Sequence, residues 1–148
     1  METPIGILSR VIWEKGFEEE LCIGSGRFKK CVEAGGAVRI VQKDSGYFLE
    51  LELLGAFIEY SLINTCYPAY TIGIASLEVC ITDIDLSGST LKGLGISIKL
   101  CVGKWGISKC WDVYNGNIRF FLINLAEING DLFEPGVLAE NILVGVEG

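Results

Sequence analysis

The sequence predicts an all-β fold, a single-domain antiparallel β-sandwich of immunoglobulin-like or jelly-roll-like type, and three observations carry that prediction. Apolar residues alternate with period two, as in YFLELELLG, where Leu49, Leu51 and Leu53 point one way and Glu50 and Glu52 the other. Turn signals recur at the roughly 8–12-residue spacing typical of sandwich and barrel strands. A cysteine-framed segment is written twice, as LCIGSGRFKKC at 21–31 and LCVGKWGISKC at 100–110, giving the fold two pseudo-repeated hairpins. With 148 residues the chain has the size of one domain, 1–148, able to bury a genuine core.

Residues 1–20 read as an N-terminal arm, made acidic by Glu14 and the run Glu18-Glu19-Glu20. The first dozen residues could supply a short helix. The internal pseudo-repeat covers 21–41 and 100–121. In 21–41, a register placing Cys22 opposite Cys31 also places Leu21 opposite Val32, so an apolar pair lies on one face and the cysteines on the other. Its turn is expected at Gly26-Arg27, and Gly35-Gly36 marks a further turn. Asp44-Ser45-Gly46 joins VRIVQ to YFLELEL as a hairpin loop.

Tyr67-Pro68 marks a loop, with Tyr67 and Tyr70 at the surface. VCITDIDLSG and LGISIKLCV are strands about a Ser87-Gly88 turn. In the second, Ile96, Ile98, Leu100 and Val102 share a face opposite Ser97, Lys99 and Cys101. In 100–121, Cys101 opposes Cys110 and Leu100 opposes Trp111, with a turn at Trp105-Gly106. Asn115-Gly116 reads as a hairpin loop between WDVY and NIRFFLI, and Asn129-Gly130 as another turn. PGVLAENILVGV, 135–146, is the remaining candidate for a short helix.

Six cysteines form an even set. Pairing Cys22 with Cys31 and Cys101 with Cys110 leaves Cys66 and Cys80 as the third pair, the preferred choice among about fifteen connectivities. Closing so short a hairpin contributes roughly 2–3 kcal/mol, enough to fix a loop. The patterned cysteines point to an oxidising, extracellular compartment. No signal peptide is visible, and a cytoplasmic protein with free, buried thiols is the alternative. Zinc fails on spacing, because there is no C-x-x-C and no histidine.

The net charge of −7 opposes general affinity for nucleic acid. The absence of histidine removes the commonest general base and metal ligand together. No catalytic signature remains, so the chain reads as a non-enzyme with no cofactor or metal. KGLGIS resembles neither a phosphate-binding nor a dinucleotide-binding loop. The longest uncharged run, Ser61 to Leu77, is interrupted by Asn64 and Pro68 and is no transmembrane segment.

The candidate binding residues are Arg27, Phe28, Lys29, Lys30, Lys104, Trp105 and Lys109 in the two framed loops, with Tyr67 and Tyr70. The loops hold five of twelve basic residues and no acid between either cysteine pair, a local inversion of charge that fits an anionic partner. Asp83 and Asp85, two apart, share a strand face and read as solvent-facing, as do Glu50 and Glu52. Among the other aromatics, which include Trp13 and Tyr60, Trp111 and Tyr47 belong to the core. Half the residues are apolar and the mean hydropathy is +0.43, leaving apolar surface for a partner. The expected function is therefore association, chiefly with copies of itself. A ligand-binding module, either a carbohydrate-binding lectin or a carrier of an apolar ligand, is the alternative.

Overall fold

A computed structural model describes residues 9–104, 106–124 and 141–147. These form β1 (Arg10–Ile23), β2 (Lys30–Lys43), β3 (Gly46–Leu53), β4 (Ala56–Ser61), β5 (Thr65–Cys66), β6 (Tyr70–Ile72), β7 (Ala75–Ser87), β8 (Thr90–Lys104), β9 (Ile107–Asn124) and β10 (Asn141–Glu147). The only helical element among them is a 3₁₀ turn at Gly26–Phe28. Sheet A has the order β1-β2-β3-β4, and the six-stranded sheet B has β10-β9-β8-β7-β5, with β6 also pairing β7. All described pairings are antiparallel.

The two-sheet antiparallel sandwich is the architecture expected. Its connectivity is a meander, each long strand pairing its sequence neighbour, without the Greek-key crossings of an immunoglobulin or jelly-roll sandwich. Hairpins with short turns enforce that order. Asp44-Ser45 bridges the pair Lys43↔Gly46, and Gly88-Ser89 bridges Ser87↔Thr90, as the turn signals imply.

The inner faces meet in one cluster that includes Val38, Ile40, Leu49 and Leu51 of sheet A and Leu77, Val79, Ile96, Ile98 and Leu100 of sheet B. Alternation dictates this: Leu49, Leu51 and Leu53 are buried, whereas Glu50 and Glu52 face out. Each such side chain, fully buried, contributes about 1.5–3 kcal/mol.

Several local expectations are corrected. Residues 10–20 are not an arm but most of β1, because their apolar positions Trp13 and Phe17 continue the inner face of sheet A that Leu21 and Ile23 also form. Gly35-Gly36 is not a turn. Both lie within β2, opposite Glu18 and Phe17, and a Cβ on Gly36 would stand 2.0 Å from the Glu52 carbonyl oxygen and 2.9 Å from the Phe17 ring. Asn115-Gly116 is not a loop either: β9 runs through it, pairing Ser97↔Asn115 and Ile96↔Gly116, and the glycine leaves room for the Tyr114 ring folded back over it. Residues 141–147 are strand β10 rather than the end of a helix, paired along β9 from Asn124 to Ile118. The rest of 135–146, the Asn129-Gly130 signal and residues 1–8 lie outside the described residues.

Two features have no counterpart in the sequence reading. The β3–β4 turn is Leu54-Gly55, with φ of 52° and 83°, the double left-handed backbone of a type I′ hairpin, and it places a leucine where glycine or asparagine is favoured. β7 is also bulged between Thr82 and Asp85, where Asp83 has a φ of 53°.

Candidate functional site

The two framed hairpins close the same end of the sandwich. The Trp13 ring lies 5.5 Å from that of Tyr114, whose strand partner is Ile98, while Phe17 and Glu19, further along β1, share a cleft with Leu100 and Trp111. β1 and β8 therefore advance in one direction on facing sheets and reach their turns together.

The register at both hairpins is the one read from sequence. Cys22 pairs Cys31 with Leu21 opposite Val32, and Cys101 pairs Cys110 with Leu100 opposite Trp111. All three disulfides join cross-strand neighbours: Cys22–Cys31 and Cys101–Cys110 with Cα atoms 4.0 Å apart, and Cys66–Cys80 at 3.9 Å, linking β5 to β7. These are bonds of an oxidising environment. One carboxylate lies near each hairpin disulfide, Glu20 in the first and Glu78 in the second. Sulfurs tied up in disulfides are not thiolate ligands, so neither group is a metal site as it stands.

The first turn differs from the expected two-residue loop at Gly26-Arg27. Pairing ends at Ile23↔Lys30, and residues 24–29 form a wider loop around the 3₁₀ turn, in which Phe28 N–H donates to Ser25 O at 3.1 Å and Lys29 N–H to Gly26 O at 3.2 Å. Gly24, at a φ of 83°, makes this possible, because a Cβ there would meet the Phe28 carbonyl at 2.5 Å. No side chain of the turn is buried, and Phe28 is 74% exposed beside exposed Arg27, Lys29 and Lys30. The second turn is the expected one: Lys104 pairs Ile107 around Trp105-Gly106, and Gly106 has a φ of 77°. Trp105 and the side chain of Lys104 lie outside the described residues. Lys109 holds its Nζ 5.7 Å from the centre of the Trp111 ring.

Three aromatic expectations change. Tyr67 is buried rather than on the surface, because its hydroxyl is satisfied inside: it donates to Ser61 O at 2.7 Å and accepts from Ile63 N–H at 3.0 Å. Burial raises its pKa above 10, partly offset by the backbone hydrogen bond with Ile63. Tyr70 is half-buried against the core. Trp111 is 38% exposed rather than core, because the facing edge strand β1 offers only Lys15, Gly16, Phe17 and Glu19 to the cleft beside it. Tyr47 packs on the core as expected, its hydroxyl donating to Ser89 O at 3.2 Å and accepting from Leu91 N–H at 3.1 Å.

A feature missed in sequence is the outer face of sheet A. The registers place Glu14, Glu18, Glu20 and Glu33 on it from β1 and β2, and Glu50, Glu52 and Glu59 from β3 and β4. Its cations are Arg39 and Lys43, so seven carboxylates against two leave a formal charge of −5. Arg39 is clamped by Glu14, by Glu50 at 3.1 Å and by Glu52 at 2.7 Å, and these bonds, the one to Glu52 foremost, raise its pKa further despite partial burial. Lys43 pairs Glu59 at 2.8 Å. Glu20↔Glu33 and Glu50↔Glu59 are like charges directly opposed, an arrangement that weakens a sheet. The signal was present in the outward phase of Glu18/Glu20 and Glu50/Glu52, but only strand order assembles the face.

The described residues thus present a basic, aromatic end and an acidic broad face. They contain no helix long and apolar enough to cross a membrane. No protein-family model matches the chain, and no curated protein or solved structure matches it significantly, so its function is argued from this geometry alone.

Proposed function

We propose that this is an extracellular, non-enzymatic protein that works by self-association, the disulfide-framed basic end of one copy docking on the acidic outer face of sheet A of the next. The observation that carries the reading is the segregation of charge. Arg27, Lys29, Lys30, Lys104 and Lys109 lie between the hairpin cysteines, while the outer face of sheet A carries a formal −5 spread along β1 to β4. Complementary potentials steer and orient encounter, and Phe28, 74% exposed among these cations, supplies an apolar anchor of the kind that carries binding energy at interfaces. The two surfaces differ, so the contact is head-to-face and propagates into a ring or filament. Three disulfides suit such a protein to an oxidising exterior.

The test is light scattering with electron microscopy at low and high salt. Oligomers should form at low ionic strength and weaken as salt screens the contact. Phe28→Ser combined with Lys29→Glu should abolish assembly, as should Glu50→Lys with Glu59→Lys, and mixing the two charge-reversed proteins should restore paired complexes. A monomer at every concentration in low salt defeats the proposal.

One observation favours the apolar-carrier reading. Tyr47, Leu62, Ile84, Leu86 and Leu91 line an open cleft of about 280 Å³ between the sheets, beside the β2–β3 and β7–β8 turns. Saturable uptake of a fluorescent fatty acid, lost in Leu86→Asp, would support it; no uptake removes it.

A further inference from the structure

The outer face of sheet B carries a trough that the association reading leaves unused. Three cross-strand rows build it: Cys80–Ser97–Asn115, Thr82–Gly95–Asn117 and Asp85–Gly93–Arg119. In each row the central residue, on β8, is glycine or serine, while β7 and β9 supply taller side chains, all of them polar except Cys80, which is bonded to Cys66. The floor is therefore low along β8 and the walls stand about 4.8 Å to either side. A Cβ on Gly95 would lie 2.6 Å from Thr82 Oγ1 and 3.2 Å from Asn117 Oδ1, so both walls lean over the floor. Two adjoining concavities result, of about 250 and 260 Å³, with Asn117 lining both.

The polar groups in this trough are unspent. Asp83, Asp85, Lys92, Asn115, Asn117 and Arg119 make no side-chain hydrogen bond or ion pair among the described residues. The β7 bulge, with Asp83 at a φ of 53° and Ile84 N–H held by Asn64 Oδ1 at 3.0 Å, brings both aspartates to the rim. Bulges re-aim side chains in this way beside binding sites. Two carboxylates and two cations balance, which disfavours both a polyanion and a free metal ion. Alternating donors and acceptors over a small-residue floor match a neutral molecule with many hydroxyls. Next along β9, Phe121 is 52% exposed on the same face as Arg119, an apolar platform for the flat side of a sugar ring.

We propose that the outer face of sheet B is a binding site for a neutral oligosaccharide lying along β8, with Asp83, Asp85, Asn115, Asn117 and Arg119 as hydrogen-bonding partners and Phe121 as the stacking surface. None of the residues lining this site belongs to the hairpin turn 24–29 or is Tyr67 or Tyr70, and the site does not depend on self-association.

The experiment titrates the intact, disulfide-bonded protein with cellohexaose, maltohexaose, chitohexaose and mannohexaose, read by calorimetry and amide NMR shifts. At least one should bind, with shifts concentrated at 82–85, 93–97 and 115–121. Asn117→Ala and Arg119→Ala, both exposed and unpaired, should each weaken binding roughly ten-fold or more, while Phe28→Ser leaves it unchanged. Unaltered amide spectra elsewhere show that the variants fold. Binding to none of the four sugars at millimolar concentration overturns the proposal, as does binding that survives both substitutions or maps to residues 22–31. Loss of assembly in Phe28→Ser with retained sugar binding separates the two proposals.

Discussion

Replacing Arg39 with methionine tests whether the acidic face of sheet A is held by one guanidinium. The substitution keeps an unbranched apolar stem of similar reach and removes only the charge and its hydrogen bonds. Glu14 is 48% exposed and its pair with Arg39 counts for about 0.5 kcal/mol, as surface pairs do. Glu50 and Glu52 are 29% and 25% exposed, and the Arg39 side chain itself only 18%, so these two bonds each contribute about 1 kcal/mol. The loss should be roughly 2–3 kcal/mol at low ionic strength, since the three glutamates are left facing one another. For a chain of 148 residues this lowers the melting temperature by about 6–9 °C. Urea unfolding with disulfides intact, followed by fluorescence of the buried Trp13, measures it. In 1 M salt the deficit should shrink by about half, because screening relieves the repulsion among the orphaned carboxylates. A deficit below about 0.5 kcal/mol, or one indifferent to salt, refutes the reasoning.

Other expectations follow from single features. Leu54→Asn should stabilise by about 0.5–1 kcal/mol and raise the melting temperature, since asparagine tolerates the left-handed turn that leucine resists; a lower melting temperature counts against the turn assignment. Removing Cys22 and Cys31 together as serines should cost about 2.5–3 kcal/mol by chain entropy, seen as a lower urea midpoint without loss of fold. Non-reducing peptide mapping should recover Cys22–Cys31, Cys66–Cys80 and Cys101–Cys110, and any link between the hairpins contradicts the register. Tyr67 has a folded pKa raised above its unfolded value near 10, so its contribution is complete below that pH and is lost as pH rises through the folded pKa. Alkaline titration should therefore destabilise the protein above about pH 10. Tyr67→Phe should lose about 1–2 kcal/mol at neutral pH and flatten the alkaline decline.

The hairpin register was legible because a cysteine pair and an adjacent apolar pair must occupy opposite faces, which leaves one pairing for each framed segment. Glycine was less legible. The same residue that signals a turn at Gly88, with a φ of 63°, sits inside strands at Gly36 and Gly116 because an aromatic ring folds over it. Short-range pattern cannot tell these uses apart, since the Phe17 ring that lies on Gly36 comes from another strand. Tyr67 was misplaced for a related reason: its loop neighbour Pro68 argued for exposure, but the carbonyl and amide that satisfy its hydroxyl become adjacent only when the β4–β5 connection closes.

The sequence by itself determined the antiparallel sandwich class, the core-facing residues of the regular strands such as Leu49, Leu51, Leu53, Ile96, Ile98 and Leu100, and a hairpin register that favours local cysteine pairs, because alternation and cysteine spacing are local and strand pairing obeys them. Tertiary structure alone decided that two hairpins distant in the chain share one end, that seven glutamates share one face, and that Gly93, Gly95 and Ser97 floor a polar trough. Those surfaces are made by strand order and by the direction in which facing strands run, which no single stretch of sequence encodes.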